Sequence, residues 1–166
     1  TQFGYINHVL INLGLERIGW LTSGNLALYA VLFVNIWQYL GWHIILLLAG
    51  LQIVPQELYE AATVDGANNW INFWKITIPM ISPIFFYDLV VNMIMTMQIF
   101  DLPFAMTNGG PGNATRVFNL YLYQKGFSFL QMGEACSMGV ILFILIIIAT
   151  FLLFRFLGSR VNYDMY

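Results

Sequence analysis

The chain has 166 residues, 60% of them hydrophobic and only 8% charged, with a formal net charge of -2. A soluble domain of this length needs a charged surface, so this composition excludes one and makes a membrane protein the default. Without a Lys/Arg excess there is no phosphate-binding surface, and no nucleic-acid partner is expected.

The chain opens Thr1-Gln2-Phe3-Gly4-Tyr5 with no initiator Met, basic n-region or cleavage site, and it reads as the middle of something longer. Over residues 1–25, Ile6, Val9, Leu10 and Leu13 are spaced as a short amphipathic helix at the membrane interface. That helix ends near Gly14, and Trp20 suits headgroup depth. A first span is predicted over 26–54, long enough to cross a hydrocarbon core of ~30 Å. Asn35, Gln38 and Trp42 fall at i, i+3, i+7 and give it one polar face, and Pro55 limits how far it continues.

Glu57 to Pro79 is the one long polar interruption between apolar blocks, predicted as two short helices broken at Asp65-Gly66. Glycine enters the left-handed conformation past a helix end without strain, so Gly66 stops the first. Asn68 is an N-cap for the second, whose apolar face is Trp70, Phe73, Trp74 and Thr77. The acidic Glu57, Glu60 and Asp65 would be repelled by an anionic leaflet, and a protein partner explains them better than a bed of headgroups.

A second span is predicted over 79–100, with Pro79 in the first turn, where its missing N–H costs nothing, and a kink at Pro83. Asp88, Asn92 and Thr96 form a second polar stripe at i, i+4, i+8. In the connection 101–133, Asn108-Gly109-Gly110-Pro111-Gly112-Asn113 is turn chemistry. Phe118, Tyr121, Leu122 and Phe129 then suggest an aromatic interfacial helix. Asn113-Ala114-Thr115 matches a glycosylation sequon, a short pattern that is more often chance in a turn. The third span, 135–157, is apolar almost all round and the most lipid-facing; Gly133 and Ser137 would let a neighbouring helix approach, and Arg155 and Arg160 close it. Positive charges tie across the membrane, with Lys75, Arg155 and Arg160 against Arg17, Arg116 and Lys125, so charge does not orient the chain.

His8 and His43 share no metal-ligand spacing with each other or with Cys136, and neither a nucleophile–base pattern nor a P-loop is present. No catalytic residue, metal or cofactor is expected. Both histidines read as ordinary polar residues near membrane boundaries, and Cys136 as a small packing residue. An ionisable group inside a span is expensive, so Asp88 should face a bundle interior or a wet cavity. Asn35, Gln38, Asp88, Asn92 and Thr96 either line a solute path or bond helix to helix, and a stripe alone does not decide between the two.

At the polar loop the sequence strongly resembles the integral-membrane permease subunits of bacterial ABC importers. Their EAA signature stands here as Glu60-Ala61-Ala62, Gly66, Ile76 and Ile78-Pro79, with Ile78 in place of Leu. Asp65-Gly66-Ala67, the turn Thr107-x-Gly109-Gly110-Pro111, Trp37, and Ala49-Gly50-Leu51 leading into Ile53-x-Pro55-x-Glu57-Leu58-Tyr59 look like the carbohydrate-uptake branch, of maltose or multiple-sugar type. The resemblance implies an all-α membrane protein, a polytopic helical bundle. It would have three transmembrane helices here, cytoplasmic coupling helices and an external interfacial helix. Residues 1–166 would be the C-terminal part of one permease transmembrane domain.

It further implies a non-catalytic subunit of the bacterial cytoplasmic (inner) membrane that imports a sugar or sugar-like solute. Its partners would be a second permease subunit, a heterodimer being expected, a cytoplasmic ATPase dimer, an extracytoplasmic solute-binding protein and membrane lipid. Glu57, Glu60, Ala61, Ala62, Asp65 and Gly66 would couple to the ATPase. Loop 57–78 and the C-terminus would be cytoplasmic, and loop 101–133 external. The residues alone leave two alternatives: a secondary transporter with Asp88 as a proton or cation site, which would need no ATPase, and a membrane-embedded scaffold, which would show no solute-dependent flux.

Overall fold

A computed structural model describes residues 4–158 of the chain; Thr1 to Phe3 and Arg160 lie outside the described residues. The described residues are helical, without strands: α1 (Tyr5–Asn12), α2 (Gly24–Ile53), α3 (Gln56–Val64), α4 (Asn69–Asn72), α5 (Ile78–Met97), α6 (Asp101–Thr107), α7 (Phe118–Tyr123) and α8 (Met132–Phe156). Among the described residues, three helical stretches are long and apolar enough to cross a membrane: Gly24–Ile53, Asn69–Met97 and Met132–Phe156.

The second of these corrects a prediction. The helix after Gly66 is not a separate short element; α4 runs on through a π-turn at Phe73–Thr77 directly into α5. Pro79 has no N–H to donate to the Lys75 carbonyl, and the wider turn, closed by Ile78 N–H to Phe73 O, sits just before it. The predicted proline disturbance at 83 is handled locally. Proline cannot bond the carbonyl four residues back, and the Ser82 hydroxyl donates to that Pro79 carbonyl at 2.7 Å. Helix α5 stops at Met97 rather than at Phe100, whose ring is drawn into an aromatic cluster described below.

The chain divides into two units: Thr1–Gln38 with Gln98–Ile141, and Tyr39–Met97 with Leu142–Tyr166. In the first, α1 ends as the sequence predicts. Gly14 takes φ +76°, its N–H bonds the Ile11 carbonyl, and the Leu15 N–H bonds that of Leu10. The α1 helix is anchored by Asn7, which is 1% exposed. Its side-chain amide donates to the Ile18 carbonyl at 2.8 Å, while its Oδ1 accepts from Ile18 N–H at 3.2 Å and from the Trp20 indole at 3.1 Å. Asn7→Ala removes this tie and leaves the half-buried polar groups of Ile18 and Trp20 unpaired, at an expected cost of about 1–3 kcal/mol. Thermal unfolding of the purified protein checks it, together with a shift of Trp20 fluorescence; an unchanged melt would contradict it.

The turn 108–113 is built as its composition suggests, with Asn108, Gly109, Gly112 and Asn113 all at positive φ and a cis Gly110–Pro111 bond. Gly109 has a second constraint, because a β-carbon there would lie 3.3 Å from Leu120, the fully buried anchor of α7. Thr115, the last residue of the sequon pattern, is 1% exposed and bonds the Gly110 carbonyl and the Thr107 hydroxyl. The Thr of that pattern therefore has a structural use.

Rings of Phe100, Phe104, Tyr123 and Phe127 pack with centroids 5.1–5.5 Å apart. Arg116 lies 4.7 Å over the Tyr121 ring. The close helix approach falls at Gly126, where a β-carbon would sit 3.2 Å from Ala135, whereas Gly133 has nothing within 4 Å. Lys125 bridges to Glu134 at 2.7 Å and to Gln131 at 2.9 Å, and the carboxylate hydrogen bond holds its ammonium above the ordinary lysine range. Cys136 is exposed on α8 and is not the packing residue expected.

The second unit joins the later half of α2, α5 and the later half of α8. Gly50 lets α2 approach α5 closely, since a β-carbon there would come 2.9 Å from Ile84. Phe86 meets Phe154 edge to face at 5.0 Å. Apart from Ala135, no residue of α8 is buried.

Candidate functional site

The polar loop begins where Pro55 ends α2. Pro55 is extended, at φ −62° and ψ 132°, and caps α3; Glu57 in the first turn meets the positive end of the helix dipole. At the far end Gly66 adopts φ +82°. Its N–H donates to the Thr63 carbonyl at 3.0 Å, and the Ala67 N–H donates to the Ala62 carbonyl at 2.9 Å, the paired bonds of a Schellman motif. A β-carbon at Gly66 would meet nothing within 4 Å, so glycine is required there by the backbone and not by space. Asn68 caps α4 as predicted, its side chain accepting from Ile71 N–H at 2.9 Å.

The two arms of the loop are tied together. Tyr59 Oη lies 2.9 Å from Thr77 Oγ1, and Thr77 in turn donates to the Asn72 carbonyl at 3.4 Å. Thr77 is buried, so it does not share a face with Trp70, Phe73 and Trp74, which are exposed. The predicted i, i+3, i+4, i+7 stripe assumed a regular α-helix, and the π-turn shifts the register after Phe73. Glu57, Glu60, Ala61, Asp65 and Gly66 all face outward, Ala62 is half-buried, and Val64 between them is 88% exposed. Sequence reasoning did not pick out Val64, nor the pairing of Tyr59 with Thr77; nothing in residue type alone joins those two across a turn.

The residues of the polar stripes are placed differently. Asn35, half-buried, and Gln38, exposed, lie in the first unit; Asp88, Asn92 and Thr96 lie on α5 in the second. Asn92 and Thr96 are exposed and bond each other at 3.4 Å. Asp88 is 8% exposed, and His43 of α2 places Nδ1 2.8 and 2.9 Å from its two carboxylate oxygens. This corrects the reading of His43 as a boundary residue: it stands well inside α2 and holds the one carboxylate of α5. The available signal was the presence of complementary titratable groups in two apolar blocks, since each is costly in a bilayer without the other. Among the described residues no group of His, Cys, Asp and Glu could hold a metal.

Over residues 6–163 the sequence matches the family described as binding-protein-dependent transport system inner membrane component. It is 37% identical over 159 residues to the sulfoquinovosyl glycerol transport system permease protein of Agrobacterium fabrum, covering 96% of this chain and 52% of that protein. It is 34% identical over 162 residues to the sn-glycerol-3-phosphate transport system permease protein of Escherichia coli O157:H7, covering 97% and 55%. The fold matches a bacterial alginate ABC transporter, solved in complex with an alginate pentasaccharide-bound periplasmic protein. That match has a TM-score of 0.82 at 25% identity and covers 92% of this chain and 53% of that one. The chain spans about half the length of the curated relatives it matches.

Proposed function

The chain belongs to the binding-protein-dependent transport system inner membrane component family, and from that premise we propose that it forms part of the permease of an ATP-driven importer for a sugar or sugar-like solute. The observation that carries the reading is the construction of the loop. An exposed acidic helix, α3, is locked at Gly66 and tied by Tyr59 to Thr77, on a helix that runs unbroken to Met97. A push on α3 is therefore delivered to a membrane helix as a rigid-body shift rather than absorbed by a slack joint.

In this reading α3 seats on a cytoplasmic ATPase, with Glu57, Glu60, Ala61, Ala62, Asp65 and Gly66 at the contact and Val64 projecting between them. Loop 57–78 and the C-terminus are cytoplasmic and loop 101–133 is external. A second permease subunit completes the pathway, an external solute-binding protein delivers the cargo, and ATP hydrolysis belongs to the ATPase subunit. The names of the sequence relatives support a glycoside, glycerol phosphate or related polyol as cargo. Asn35, Gln38, Asn92 and Thr96 supply the neutral hydroxyl and amide groups that suit such a solute, and Asp88 is held by His43.

Reconstitution tests this. Proteoliposomes holding the permease and its ATPase should take up solute only with ATP and the binding protein. Glu60→Lys should lower uptake by on the order of tenfold or more, the scale of one misplaced interfacial charge. Uptake driven by an ion gradient without the ATPase would overturn the reading in favour of a secondary transporter.

A further inference from the structure

The helix Asn69–Met97 has 29 residues, more than a bilayer core requires. From Ile76 to Met97 it carries a single charged side chain, Asp88. At about 1.5 Å per residue that run is about 33 Å long, which matches a hydrocarbon core of ~30 Å. The residues before it project beyond the core, along the same rigid helix, by about 10 Å, which is headgroup depth. There the chain places Trp70, Phe73 and Trp74, followed by Lys75.

These rings are 69%, 42% and 53% exposed. They are also ordered against one another: Trp70 and Phe73 are stacked at 6.4 Å, Trp70 meets Trp74 edge-on at 5.9 Å, and Phe73 meets Trp74 edge-on at 5.3 Å. Lys75 is exposed beside them. Amphipathic rings with an adjacent cation suit an interface of anionic headgroups, whereas the exposed acids of α3, Glu57, Glu60 and Asp65, are repelled by the same surface. The two arms of the loop thus carry opposite chemistries. The acidic arm suits a protein, and the aromatic, cationic arm suits lipid.

We propose that Trp70, Phe73, Trp74 and Lys75 form a lipid anchor that fixes the depth and rotation of this membrane helix at the headgroup level. The anchor gives the loop a fulcrum: a push on α3 tilts the helix about a root held at headgroup depth, so α3 and the helix still move as one rigid body. The inference needs only that Asn69–Met97 crosses the membrane, so it stands or falls separately from the identity of the cargo.

The test uses the permease assembled with its ATPase in nanodiscs of phosphatidylethanolamine and phosphatidylglycerol. A nitroxide is attached at Trp74→Cys, and separately at Val64→Cys, in a Cys136→Ser background. Collision with oxygen and with a polar nickel chelate reports depth. The label at 74 should sit at headgroup depth with or without the ATPase. The label at 64 should be water-exposed until the ATPase is added. Trp70→Ala with Trp74→Ala should lower uptake several-fold with ATPase co-purification unchanged, and Trp70→Phe with Trp74→Phe should retain most of it. A label at 74 that is water-exposed, or shielded only when the ATPase is bound, would overturn the anchor. Loss of ATPase binding in the double alanine variant would do the same and mark the rings as a protein contact.

Discussion

Gly66→Pro leaves the permease inserted in the membrane and abolishes ATP-driven uptake. Gly66 sits at φ +82°, whereas proline is fixed near −65° and has no N–H to give the Thr63 carbonyl. The Schellman lock is lost and α3 no longer holds a fixed angle to the helix that begins at Asn69. The helices themselves are untouched, and a β-carbon at 66 meets no neighbour, so insertion and yield should stay near normal. A series sharpens the expectation. Gly66→Asn, which tolerates the left-handed conformation, should retain most uptake. Gly66→Ala, strained by about 1–2 kcal/mol, should fall between. Gly66→Pro should lower the solute moved per ATP hydrolysed by at least roughly tenfold, since it loses both the conformation and the bond. Normal uptake by the proline variant would remove the coupling role from this loop.

The second large effect concerns His43 and Asp88. Breaking a buried ion pair by removing one partner costs about 3–5 kcal/mol in soluble proteins, because the other charge is left uncompensated. Within membranes, polar couplings between helices average about 0.6 kcal/mol, up to about 1.7. The two ranges are separable. His43→Leu leaves both carboxylate oxygens of the nearly buried Asp88 without the partner they share, whereas Asp88→Leu frees a single nitrogen of the more exposed His43 ring. The histidine substitution should therefore be the more destabilising, and the double substitution less so than the sum of the two. Thermal unfolding of the four proteins in nanodiscs measures this as a double-mutant cycle. If the pair serves to join α2 to α5, the solute KM of the surviving variants stays at the wild-type value. Additive stabilities combined with a raised KM would instead return Asp88 to the solute path.

Much of the loop was legible because its signals are local. Gly14 and Gly66 both end helices by the mechanism their residue type implies, and Asn68 caps α4 through its own side chain. Pro55 also marks a boundary by its own geometry, with α2 ending at Ile53 and α3 starting at Gln56. What could not be read was non-local or cumulative. Pairings across the sequence, such as Asn7 with Ile18 and Trp20, Tyr59 with Thr77 and His43 with Asp88, leave no periodic trace. The π-turn at Phe73–Thr77 broke a face that had been counted on a regular helical period. Helix α6 was hidden for the opposite reason: Asp101–Thr107 is too short, and contains Pro103, to register against a long connection. Cys136 shows a further limit, since a residue inside an apolar block is not buried when that block itself faces outward.

The most direct test of the coupling account is a crosslink from Val64, the most exposed apolar residue of the loop. In a Cys136→Ser background, Val64→Cys should crosslink to the ATPase subunit and arrest uptake. Asn113→Cys, in the glycine-rich turn, should not react with the ATPase and should be labelled only from the external side. Crosslinking of the ATPase to position 113 and not to position 64 would contradict both the orientation and the coupling role.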